Sequence, residues 1–92
     1  MKTKTDHNKI VVTESARVAV IATFSGDTRN ITVRRADGGG KRLTVGWNDA
    51  LGSQENYAHA VRLYLVEMEW GGAWSVGATN TGAVATWSGW AD

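Results

Sequence analysis

Arg29, Arg34, Arg35, Lys41 and Arg42 crowd five cations into the stretch 29–42. Cations of that kind, held close together, suit an anion such as a phosphate, and arginine does so with a fork of donors. If the segments on either side of Gly38-Gly39-Gly40 pair as a hairpin, Arg34 faces Arg42. Like charges directly opposite on a ladder repel. A nucleic acid or another phosphate would relieve that repulsion. So would a solvated face on which the side chains splay, or salt bridges to Asp37, Glu67 or Glu69.

Five tryptophans in 92 residues form the second group with chemical potential. Aromatic side chains beside basic strands can stack on unpaired bases. Trp47 and Trp74, however, stand in phase with apolar neighbours and read as core, whereas Trp70, Trp87 and Trp90 are the ones expected to face outward. Catalysis finds little support. Glu55 and His59 sit at i and i+4 and can hydrogen-bond, but without a nucleophile or a third group the pair makes no effective base. His7 stands alone near the start. The Gly-Gly-Gly-Lys run 38–41 lacks the glycine and the hydroxyl residue of a phosphate loop, since Arg35 and Arg42 occupy those positions. There is no cysteine, no His-Glu-x-x-His and no acid cluster, so no metal, cofactor or catalytic residue is expected.

The elements that position these residues follow from periodicity. Arg17–Phe24 is apolar in both parities, with Val18, Val20 and Phe24 on one face and Ala19 and Ile21 on the other, as in a central strand. Ile10–Val12 either starts that strand or forms a short one of its own. Asn30–Arg35 alternates Ile31 and Val33 with Thr32 and Arg34, and Arg42–Trp47 alternates Leu43, Val45 and Trp47 with polar residues. Their shared register sets Val33 against Leu43, Ile31 against Val45 and Thr32 against Thr44. A second hairpin is expected from Trp74–Ala78 and Ala83–Trp87, joined at Thr79-Asn80-Thr81-Gly82.

Between the hairpins lies the only helical pattern. Tyr57, Ala58, Ala60, Val61, Tyr64, Leu65 and Met68 fall on one stripe at about 100° per residue. Ser53 reads as the N-cap, and Gly71-Gly72 as the positive-φ stop after Trp70. Burying the larger stripe residues stabilises by about 1.5–3 kcal/mol each before entropy is subtracted. Leu63, Val66 and Trp70 recur off that stripe. Either strands or the C-terminal tail cover them, or with Trp90 they form a partner or self-association surface. The order is β-β-β-α-β-β, an α+β class with an antiparallel sheet of four to five strands on one helix.

The length allows one core, so residues 10–92 are read as a single α+β domain behind a flexible polar tail, 1–9. The absence of cysteine and of any apolar run near the roughly 18 residues of a membrane span predicts a cytoplasmic protein with no membrane partner. Net charge is +1 but uneven: residues 1–42 hold nine Lys/Arg against four acids, and residues 43–92 hold one Arg against five. That asymmetry is a further reason to consider an anionic partner for the first half.

Residues 55–87 resemble small proteins encoded by phages and mobile elements. The likeness rests on an Asn-x-x-x-Ala helix (Asn56, Ala60), a Trp-x-Gly turn (Trp70, Gly72) and a following hairpin (Gly77, Ala78, Gly82). A similar layout occurs among some anti-CRISPR proteins. The resemblance implies a non-enzymatic protein that occludes a host or defence protein, as a monomer or a homodimer, and it carries over no functional residues. The rival expectation is a nucleic-acid-binding module using the 29–42 hairpin, and a third is a protein that sequesters a small molecule or nucleotide.

Overall fold

A computed structural model describes residues 17–90. The expected tail 1–9, His7 and Ile10–Val12 lie outside the described residues. The elements are β1 (Val20–Ser25), β2 (Asn30–Arg35), β3 (Leu43–Gly46), α1 (Ser53–Glu67), β4 (Ala73–Thr79) and β5 (Gly82–Gly89). The five strands form one antiparallel sheet in the order β3-β2-β1-β5-β4, so the doubly apolar β1 is central as its pattern predicts. The α+β class and the element order are those the sequence implies.

The register of β2 and β3 is also the expected one: Val33 pairs with Leu43, Thr32 with Thr44 and Ile31 with Val45. Directly paired residues share a face, which yields rows across the sheet. Leu43, Val33, Ala22, Ala83 and Ala78 form one row, and Val20, Ala85 and Val76 belong to the next. α1 packs on this side. Val20, Ala22, Ile31, Val33, Ala83 and Ala85 are all buried against Ala60, Val61, Tyr64 and Leu65 of the helix. The alanines leave room for the helix to approach. The other face carries the row Thr44, Thr32, Thr23, Gly82 and Thr79, and among the described residues no element covers it. Ile21 is only half-buried there, so β1 is central without being enclosed on both faces. At Gly82 an added Cβ would lie 2.0 Å from the Ala22 carbonyl oxygen, so only glycine lets β5 lie this close to β1.

The helix departs from expectation at both ends. Its N-cap is Gly52, not Ser53, and the Glu55 carboxylate accepts the Gly52 N–H at 3.0 Å. The stop comes two residues early. Trp70 N–H bonds the Leu65 carbonyl and Glu69 N–H the Val66 carbonyl, with Glu69 at φ 59°, which is the paired bonding of a Schellman end with a glutamate in the place usually held by glycine. Gly71-Gly72 instead serves the turn into β4. No described helix is long and apolar enough to cross a membrane.

Candidate functional site: the groove beside the helix

The helix leaves part of the β4 side of the core face open. Ala58, Val61, Leu65 and Val66 from α1 and Trp74 and Val76 from β4 line a groove of about 340 Å³, with Arg62 and Trp70 also in its lining. Trp70 and Trp74 stack with planes 2° apart and centroids at 5.9 Å. Trp74 Nε1–H donates to the Gly71 carbonyl at 3.2 Å, which fixes the ring against the turn. A second groove, of about 440 Å³, opens between the helix start and the β4–β5 turn, lined by Phe24, Gln54, Tyr57, Thr79 and Gly82 among others.

Of the four residues expected to form a partner surface, the structure brings two together. Val66 is 70 % exposed and lines the first groove with Trp70, which is half-buried and packs against the core. Leu63 is 39 % exposed and does not line the groove. Trp90 is 68 % exposed and meets Trp87 edge-on at 5.8 Å. The tryptophans divide otherwise than their phase suggests. Trp47 and Trp74 do pack against the core, but so does Trp70, because the early helix stop turns its ring back onto Trp74. Arg17, which no motif singles out, places its guanidinium 5.5–5.9 Å from the ring centres of Trp70, Trp87 and Trp90. Its signal in the sequence is only that it opens the expected strand Arg17–Phe24, whereas the observed β1 begins at Val20.

The basic residues do not form one patch. Arg29 lies in the β1–β2 turn and pairs with Asp49. Arg34 is on the open face, where Nη1–H donates to the Arg35 carbonyl at 3.2 Å. Arg35 is on the helix side and holds Asp37 in a two-pronged ion pair, with its guanidinium 6.0 Å from the Trp70 ring centre. Lys41 Nζ is 3.6 Å from Glu67. Arg42 precedes β3, so the ladder ends at Leu43 before Arg34 and Arg42 would meet. The Arg35 hydrogen bonds, followed by the Gly39 N–H, hold the Asp37 carboxyl below the ordinary carboxylate range. Its folded form therefore favours the anion, and that contribution is lost as pH falls from the ordinary value through the lowered one.

Glu55 is engaged at the helix start, its carboxylate turned toward Gly52, while His59 is exposed. Among the described residues no three His, Asp or Glu side chains gather to hold a metal ion. A residue that periodicity misses is Asn56. It is 2 % exposed on the helix and hydrogen-bonds the 48–52 loop.

Among the described residues the architecture is thus a single antiparallel sheet with one helix and a groove at the edge of its packing. Comparison of the chain with protein-family models, curated proteins and solved structures returns no match.

Proposed function

We propose that this chain is a small non-enzymatic binding protein that attaches through the α1–β4 groove to a host or defence protein and occludes it, in the manner of phage- or mobile-element-encoded inhibitors acting in the host cytoplasm. The observation that carries the reading is Val66: a β-branched aliphatic residue, 70 % exposed, beside a groove whose other walls include Trp70, Trp74 and Val76. Apolar surface of this kind, with aromatic anchors, marks protein interfaces. The resemblance of residues 55–87 supplies the class of partner. The basic hairpin carries less weight, because Arg29, Arg35 and Lys41 are each already paired with an acid.

The test uses tagged full-length chain and its Val66→Glu variant in host lysate. A partner retained by the wild type and lost with Val66→Glu, whose activity the wild type then inhibits when both are purified, supports the proposal. Equal recovery by both chains, or binding without inhibition, overturns it.

A further inference from the structure

The two edges of the sheet are unlike. β3 is four residues long and follows directly on Lys41 and Arg42, the kind of short, charged edge that discourages pairing with another chain. β4 is seven residues long, Ala-Trp-Ser-Val-Gly-Ala-Thr, without charge or proline, and its register is broken only at Ala73/Trp74. From Trp74 to Thr79 it is a regular terminal strand whose outer hydrogen-bonding groups face no strand among the described residues.

The sequence of this edge is complementary to itself. We propose that β4 pairs antiparallel with β4 of a second copy about a two-fold axis at Val76, joining two sheets into one of ten strands. In that register Val76 meets the second copy's Val76, Trp74 meets Ala78 and Ser75 meets Gly77. On the helix side each large indole then lies against a methyl group, and on the open side each hydroxymethyl lies against a glycine, so neither face is overfilled. No like charges meet. Sliding the register by two residues one way sets Trp74 against Val76 and Ala78 against Gly72 outside the strand, and sliding it the other way sets Val76 against Ala78 and Trp74 against Asn80 beyond the strand end. The ladder supplies the backbone bonds and the rows of Trp74 and Val76 the apolar contact. One strand pair is small beside the roughly 1,200–2,000 Å² of a stable interface, so the dimer is concentration-dependent. The pairing shares Trp74 and Val76 with the wall of the groove but uses the backbone edge of β4, so Val66→Glu, which alters the groove and leaves that edge intact, separates the two.

The absence of cysteine makes the register directly testable, because a two-fold at Val76 brings the two Cα atoms to about 4.5–5.5 Å, within disulfide reach. The full chain is studied as wild type, Val76→Cys, Thr44→Cys on the opposite edge, and Val76→Lys. The expected result is a wild-type mass that rises toward two chains between low micromolar and sub-millimolar concentration in sedimentation equilibrium. Val76→Cys oxidises to a covalent dimer at least about tenfold faster than Thr44→Cys, although Thr44 is the more exposed position. Val76→Lys remains a monomer with an unchanged circular dichroism spectrum. A wild type that stays monomeric throughout, a dimer that survives Val76→Lys, or equal cross-linking from the two cysteine positions overturns the proposal. If Val76→Lys does not fold, the ratio of the two cross-linking rates decides.

Discussion

The side-chain amide of Asn56 grips Asn48 by both of its backbone groups: Oδ1 accepts the Asn48 N–H at 2.8 Å, and Nδ2 donates to the Asn48 carbonyl at 2.9 Å. The same Nδ2 also reaches the carbonyls of Leu51 at 3.3 Å and Gly52 at 3.1 Å. One buried amide therefore closes the loop that leads from β3 to α1. Asn48 adds its own turn, with Oδ1 accepting the Ala50 N–H at 2.9 Å.

Replacing Asn56 by Ala strands one N–H and several carbonyls at a site that is 2 % exposed. Unsatisfied buried groups cost about 1–3 kcal/mol each, and water entering the vacated space recovers part of that. The expected loss is about 2–4 kcal/mol, or a Tm lower by at least about 8 °C in a domain of this size. Asn56→Asp keeps the shape but cannot donate when ionised. Its melting temperature should therefore recover partly as pH is lowered toward the carboxylate range, which Asn56→Ala cannot do.

Glu69 holds a left-handed conformation, φ 59°, that costs an L-residue about 1–2 kcal/mol and glycine almost nothing. It also places an acid beside the negative end of the helix, where there is no basic residue in the last turn. Glycine's greater freedom in the unfolded chain offsets part of the gain. Glu69→Gly should stabilise by about 0.5–1.5 kcal/mol in urea titrations, with an unchanged m-value. Glu69→Ala removes the charge and keeps the strain, so it should stay within about 0.5 kcal/mol of the wild type.

These two residues mark the limit of what the sequence makes legible. The β2–β3 register is readable because Ile31, Val33, Leu43 and Val45 share one parity, and a slip of one residue would turn all of them to solvent. Glu69 is not readable, because the helix ends two residues before the stronger local signal of Gly71-Gly72, with a glutamate at the positive-φ position and Trp70 just beyond it stacked on Trp74. Asn56 is a polar residue at the margin of an apolar stripe. Its partner, Asn48, becomes apparent only once the loop is closed. The proposed partner surface divides as well: Leu63, Val66 and Trp70 share a spacing, but the early stop takes Trp70 out of the helix, and Leu63, about 60° round the helix from Val66 on the side away from Leu65 and Arg62, does not line the groove.

Tyr64 is 1 % exposed and donates its hydroxyl hydrogen to the Lys41 carbonyl at 3.1 Å, tying the glycine-rich loop to the helix. Burial pushes its pKa above the ordinary tyrosine value, with nearby Arg35 opposing. The unfolded chain thus ionises first, and stability should fall as pH rises above about 10 toward the raised folded value. Tyr64→Phe should cost about 0.5–1.5 kcal/mol at neutral pH. Its stability should also decline less steeply on the alkaline side, as read from urea midpoints at a series of pH values.

Gly72 and Gly46 offer a paired test of the packing that seats the tryptophans. At Gly72 the backbone has φ 95°, and an added Cβ would lie 2.2 Å from Trp87 Nε1 and 2.7 Å from the Gly89 carbonyl oxygen. The indole can shift, but the carbonyl belongs to β5 and moves only with its strand. Backbone strain of about 1–2 kcal/mol adds to an overpacking cost of about 1–3. Gly72→Ala should therefore remove about 2–5 kcal/mol and shift the tryptophan emission, because Trp87 and its neighbour Trp90 are displaced. At Gly46, in β3, an added Cβ meets nothing within 4 Å. Gly46→Ala should fall within about 0.5 kcal/mol of the wild type with its emission unchanged. If the two variants melt together, Gly72 is not held against Trp87 and the proposed groove loses the turn that positions Trp74.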